Sequence, residues 1–211
     1  MFFVHFFSEL FLKSPRQLMI RKCDSESPDS LTHFPSEELS MPSPIYMKIE
    51  GETNGKMSDK CLSPDSVGTL SKSAFEDYIQ VQAFSMPIDR PVHETSGQPT
   101  GSAIHRGIEV VKFIDASSPL LFDSIGRGEQ LKTVEFEFYR TAPTGTEELY
   151  YTIKLEHATF VAVEPYIPNV LDDSNHKQAH MERVKINYKK CTVEHPKVSK
   201  SGSWDYDNPN M

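Results

Sequence analysis

Cysteine, glycine and tryptophan are sparse in this chain. Its 211 residues hold three cysteines, ten glycines and one tryptophan. Cys23, Cys61 and Cys191 form an odd count without a CxxC spacing, which argues against a disulfide framework or a zinc site. They read as independent thiols of a protein made in a reducing compartment. The apolar N-terminal stretch MFFVHFFSELFL at 1–12 is far shorter than the ~20 residues of a membrane span. No Lys or Arg precedes it, Glu9 interrupts it and no small-x-small cleavage site follows, so no cleaved signal peptide is expected. Positive charge is in deficit, with 22 Lys and Arg against 30 Asp and Glu and a net charge of −8. An acidic surface repels phosphate backbones and anionic lipid, so neither nucleic-acid binding nor membrane insertion is expected. GxSxG, HExxH, P-loop and GxGxxG motifs are missing.

The pairs that imitate chemistry are weak. His176 and His180 would share one face of a helix, but Asp172, Asp173, Ser174 and Asn175 favour a turn and spacing supplies no third ligand. Cys191 and His195 on one strand lie about 13 Å apart, too far for a nucleophile and its base. Glu135 and Glu137 share a strand face with no apolar pocket to raise a pKa. Two glycines in SGQPTG at 96–101 precede no helix, so that segment is a turn. No catalytic, cofactor-binding or metal site is expected.

What the chain has is strand periodicity. Apolar and polar residues alternate at Ile45/Met47/Ile49, Ile79/Val81/Ala83, Val134/Phe136/Phe138, Leu149/Tyr151/Ile153/Leu155 and Val184/Ile186/Tyr188. Each run predicts a strand with one buried face, as in antiparallel sheets or a barrel. Residues 104–114 and 157–164 alternate less cleanly, which fits bulges or cover on both faces. One short helix is expected at about 118–127. Ser117-Ser118-Pro119 opens it, Leu121 and Ile125 give it one apolar face, and Gly126 and Gly128 suit its end. Loops are expected at 85–103 and 165–180, and the tail 196–211 reads as flexible.

Residues 23–40, rich in Ser, Pro, Asp and Glu, cannot bury enough apolar surface to fold. Two accounts fit 1–40: a disordered extension, or a stretch that is not native, with translation starting at Met41. The second is favoured, because Glu37-Glu38 would be encoded by purine-rich codons where a ribosome-binding site would lie. An intact native peptide beginning at Met1 would contradict it. The ordered domain is then 41–195.

Several segments together resemble the haemolysin-coregulated protein (Hcp) family, the tube protein of type VI secretion systems. They are MPSPIYMKIEGETNGK (41–56), EDYIQVQAF (76–84), SGQPTGSAIHR (96–106), SSPLLFDSIGRGEQLKTVEFEFYRT (117–141), YYTIKLEHATFV (150–161) and VKINYKKCTVEH (184–195). The resemblance implies a mainly β fold: an antiparallel β-barrel of two sheets with one short flanking α-helix, like phage tail-tube proteins. It implies a non-enzymatic subunit without cofactors. Its homohexameric rings would stack into a tube inside a contractile sheath, behind a spike protein, with effectors in the lumen. Location would be the bacterial cytoplasm, then outside the cell. By the same resemblance, Ser118, Leu120, Asp123, Ser124 and Arg127 would face the lumen. Pro87, Asp89, Arg90, His93, Glu94, Gln98 and His105 would belong to a loop reaching neighbouring subunits or rings. Glu135, Glu137, Lys185 and Lys189 are expected to set register between neighbours. The segments 1–40, 92–97 and 165–180 depart from the family pattern, and no room remains after His195 for a fused toxin domain. The competing readings are a β-sandwich module that forms no rings and binds a protein or glycan, and a hydrolase with an unrecognised site.

Overall fold

The computed structural model describes residues 43–167, 169, 171–172 and 179–207. The expectations for 1–40, the Met41 start and His176 lie outside them. Among the described residues ten strands form: β1 Ile45–Gly51, β2 Ile79–Ser85, β3 Ile88–Asp89, β4 Ile104–His105, β5 Ile108–Phe113, β6 Gln130–Thr141, β7 Glu147–Tyr166, β8 Met181–Asn187, β9 Lys190–His195 and β10 Lys200–Asp205. The main sheet runs β10-β9-β7-β6-β1-β2-β5-β8, and β7 also pairs with β8. That extra pairing closes β7-β6-β1-β2-β5-β8 into a ring of antiparallel strands, a barrel from which β9 and β10 extend. Closure removes most free edges, the usual hazard of a sheet.

Strand β7 is the seam. One of its edges pairs with β6 from Glu147 to Thr159. The other meets β9 at Thr152–Glu156 and then β8 at Thr159–Tyr166. The two expected strands on either side of residue 156 are therefore one strand of 20 residues. Ile153 and Leu155 point inward, then Ala158 and Phe160 do. The phase flips at His157, whose φ of 51° makes the extra step, so the broken alternation in the sequence was a bulge. A second phase change lies between Val81 and Ala83. It turns Ala83 outward, against expectation, and brings Phe84 onto the core. The register also shifts between Phe138 and Tyr139 and between Phe160 and Ala162, while Met47, Ile49, Val134, Phe136, Val184 and Ile186 fill the barrel.

The excursion between β1 and β2 holds a short helix, α1 (Pro64–Val67), and two 3-10 turns, and folds back over the outside of β1. Tyr46, expected on an open face, is fully buried. Phe75 stacks on it at 4.0 Å, while Tyr78 and Tyr139 meet it edge-on. Outside the barrel wall sits an aromatic layer rather than solvent. The expected helix forms as α2 (Ser118–Arg127) and ends at Gly128, in the left-handed conformation with φ 65°. Gly126 lies inside the helix. The expected flexible tail differs from the structure, since β10 pairs with β9 from Lys200↔His195 to Asp205↔Lys190.

Candidate assembly surfaces

Helix α2 lies on the barrel through Leu121, which is fully buried, and through Leu120 and Ile125. Its N-terminus is fastened by polar groups that the sequence reading missed. Lys112 on β5 is fully buried. Its Nζ lies 2.6 Å from Glu182 Oε1 and 2.8 Å from Asp115 Oδ1, and donates to the Phe113 carbonyl at 3.0 Å. Ser118 Oγ donates to Glu182 at 2.8 Å and accepts from the Asp115 amide at 3.1 Å. The Ser117 amide and hydroxyl both donate to Asp115, at 2.8 and 2.6 Å. Two carboxylates against one ammonium leave a buried excess of negative charge. The positive N-terminal end of α2 offsets it. Neighbouring Cys61 is inert: burial, then the Asp115 charge, pushes its thiol up to about 12.

The residues named for a lumen face therefore divide. Ser118 is engaged in this clamp, Leu120 packs on the core, and Ser124 is buried. Asp123 and Arg127 lie outside, paired with each other at 2.9 Å. Phe122, next to Asp123, is 68% exposed, and the sequence reading did not single it out. Its signal was available: a face centred on Leu121 and Ile125 turns residue 122 about 100° away.

Beyond α2, Glu129 receives the loop after β1. Its carboxylate accepts from the Thr53 amide at 2.7 Å, the Asn54 amide at 2.8 Å and the Asn54 side chain at 2.8 Å. A Cβ at Gly51 would sit 2.4 Å from Glu129 Oε1 and 2.8 Å from Met57 Cε, so a larger residue there would displace both side chains. Burial pushes the Glu129 carboxyl up, but these hydrogen bonds outweigh it, and the net shift is below the usual carboxylate value. A depressed folded pKa gives stability that is complete above the free value of 4.5 and is lost as pH falls through the folded one. Glu129→Gln is expected to cost about 1–3 kcal/mol near neutral pH. It should also flatten the loss of stability in acid, as measured by urea unfolding at pH 7 and pH 3.5.

The expected loop at 85–103 is an ordered hairpin arm. Ile88 pairs with His105 and Asp89 with Ile104. Val92 bridges Pro99, and the turn closes with the His93 amide donating to Gln98 at 2.8 Å. Arg106 holds Asp89 at the base, and Arg90 Nε donates to the Gly101 carbonyl at 3.1 Å. Pro87, Asp89, Arg90, His93, Glu94 and Gln98 are all exposed. So are Ile88, Val92 and Ile104, apolar residues that an isolated two-stranded hairpin does not stabilise by itself. His105 differs. It sits at the base, packed on Tyr188 and Trp204.

The four register charges also divide. Glu137 is not available to a neighbour: it is buried and accepts from Tyr139 at 2.8 Å and Lys48 at 3.3 Å. The cover over β1 adds the Tyr78 hydroxyl, which donates to Glu137 Oε1 at 3.4 Å. Glu135 is half-buried and lines a cleft of about 400 Å³ with Lys48, Lys56, Asp59 and Asp77. Lys185 and Lys189 are exposed. Cys191 is buried, and burial raises its thiol to about 11. His180 is exposed. Among the described residues no three His, Cys, Asp or Glu side chains converge as metal ligands. No helix among them is long and apolar enough to cross a membrane.

The sequence model of the family described as "Type VI secretion system effector, Hcp" matches residues 46–195, the whole barrel. The chain belongs to the Hcp family. It is 38% identical over 169 residues to the "Major exported protein" of Pseudomonas aeruginosa, covering 80% of this chain and 98% of that one. The solved "Hcp protein" superposes with a TM-score of 0.75 at 36% identity, covering 78% of this chain and 98% of the other. "Secreted protein Hcp3 from Pseudomonas aeruginosa" superposes at 0.64 with 32% identity over 78% and 98%. Hcp proteins are structural tube proteins of the type VI system, not enzymes. In this Hcp barrel the mainly β architecture with its short flanking helix matches the resemblance read from the sequence.

Proposed function

We propose that the chain forms hexameric rings that stack into the inner tube of a type VI secretion system. The tube would be expelled behind a spike by a contracting sheath, with effectors carried in the lumen. The observation that carries this reading is a family match running through the whole barrel, with relatives matched over 98% of their own length. Two features of the fold support it. The arm 86–106 is a preformed hairpin with exposed apolar side chains, suited to lie on a neighbouring copy. The outer face of α2 offers Phe122 beside the Asp123–Arg127 ion pair, a compact patch for cargo. Export should depend on the contractile machinery. In the bacterium that makes the chain, disabling the sheath is expected to remove it from the culture medium while leaving it in the cell. Unchanged export would contradict the reading. Deleting 88–101 is expected to reduce stacking, scored as tube length by electron microscopy, far more than melting temperature. An equal loss of both would assign the arm to folding instead.

A further inference from the structure

The base of the arm rests on one histidine whose environment suits only its neutral form. His105 lies face-on against Trp204, with ring centroids 3.9 Å apart. Its Nδ1 is 2.5 Å from the Tyr188 hydroxyl. Its Nε2 is buried and has no hydrogen-bond partner among the described residues. The Tyr206 hydroxyl donates to the His105 carbonyl at 3.2 Å. One residue of the arm thus contacts the end of β8, β10 and the segment beyond it.

Among the described residues the groups around the ring include no counter-charge. Burial keeps the Tyr188 phenol protonated and able to donate, and in the tautomer that carries its proton on Nε2 the His105 Nδ1 accepts from it. Cys191, on β9, is a buried thiol raised to about 11 and therefore neutral. Asp89 on β3 is held by Arg106. On the neighbouring turn Lys190 is bonded to Glu156, and Asp205 stands across from Lys190 in the ladder. Lys189 is exposed. Burial is accordingly the cause that lowers the His105 pKa below its ordinary 6.5. A second proton would make Nδ1 a donor, so that the Tyr188 hydroxyl would have to turn its own proton away, and would add a charge with no acceptor at Nε2. Attraction between an imidazolium and the Trp204 face opposes this, but supplies no acceptor at Nε2.

We propose that His105 is a proton-operated latch that, when neutral, seats the arm on Tyr188 and Trp204 and, when protonated, releases it. A histidine with a lowered folded pKa leaves the seated form fully stable above about 6.5 and weakens it as pH falls below that value. Strand β10 stays in its ladder with β9, whose six pairs do not involve the ring. The latch is a property of one chain and does not depend on ring formation.

Trp204 is the single tryptophan of the chain, so its exposure reports on the latch directly. Acrylamide quenching of the full-length protein is expected to rise severalfold between pH 7.5 and pH 5. Amide exchange in 86–106, corrected for intrinsic rates, should be about tenfold faster at the lower pH, while 200–205 changes little. In His105→Gln, which keeps a polar partner for Tyr188 but does not titrate, both changes should vanish. Flat quenching in the wild type, or an equal rise in the variant, would overturn the latch. If the variant fails to fold, histidine NMR on the wild type decides. His105 titrating below 6.5 in step with the arm amides supports the proposal, and titration at or above 6.5, or arm amides that do not follow, contradicts it.

Discussion

Lys112→Met is expected to destabilise the protein by about 3–5 kcal/mol, the usual cost of removing one partner from a buried ion pair. Asp115 and Glu182, both nearly inaccessible to water, would be left with serine hydroxyls, backbone amides and the end of α2. For a domain of this size that corresponds to a fall of about 10 °C in melting temperature. The result is informative because the same physics predicts a partial rescue. Replacing Lys112 and Glu182 together by apolar residues removes a charge of each sign and should recover a good part of the loss. Asp115 would still hold Ser117 through two hydrogen bonds. A Lys112→Met protein melting within about 2 °C of the parent would show that the clamp contributes little, and α2 would then be held by Leu121 and its apolar neighbours alone.

Gly107→Ala should be nearly as damaging, for a reason of backbone rather than charge. Gly107 has a φ of 81°, where a side chain is strained. A Cβ there would lie 2.4 Å from Asn187 Oδ1 and 2.9 Å from the Ile186 carbonyl oxygen. Asn187 can rotate away, but Ile186 is tied into the ladder opposite Ile108. Conformational strain of about 1–2 kcal/mol adds to the cost of moving a paired carbonyl, for a loss of about 3 kcal/mol. Thermal or urea unfolding of Gly107→Ala, alone and with Asn187→Ala, separates the two parts. The double variant should recover only the side-chain share. Complete recovery would place the whole clash in Asn187.

How much of this was legible in the sequence depended on whether local pattern and tertiary cover agree. Strand β1 and the core ends of β6 and β8 were readable because Met47, Phe136 and Val184 alternate with residues facing away from the barrel. Helix α2 was readable to its ends, since Pro119 and Gly128 mark positions where few other residues suit the backbone. Alternation failed where the chain changes phase: at His157, between Val81 and Ala83, between Phe138 and Tyr139, and between Phe160 and Ala162. A bulge leaves only an irregular pattern, with no signal of which way the strand resumes. Tyr46 and Glu137 were misplaced for another cause. Their face is covered by Phe75 and Tyr78, far along the chain, and period two cannot report cover from a distant segment. Lys112 was hidden likewise, since a lysine in a strand reads as solvated until Asp115 and Glu182 are brought to it. The tail was read as flexible from its composition, yet Trp204 had a partner in His105 about a hundred residues earlier. Assembly features were legible chiefly through the family resemblance, because a surface made for another copy has no internal pattern.

The central claim, a ring-forming tube subunit, is tested most directly by the native mass and shape of the full-length chain. Light scattering coupled to size exclusion, with negative-stain microscopy of the peak, is predicted to give six times the chain mass and six-fold rings with an open lumen. A monomer or dimer that persists across protein concentration and salt, with no rings on the grid, would contradict it.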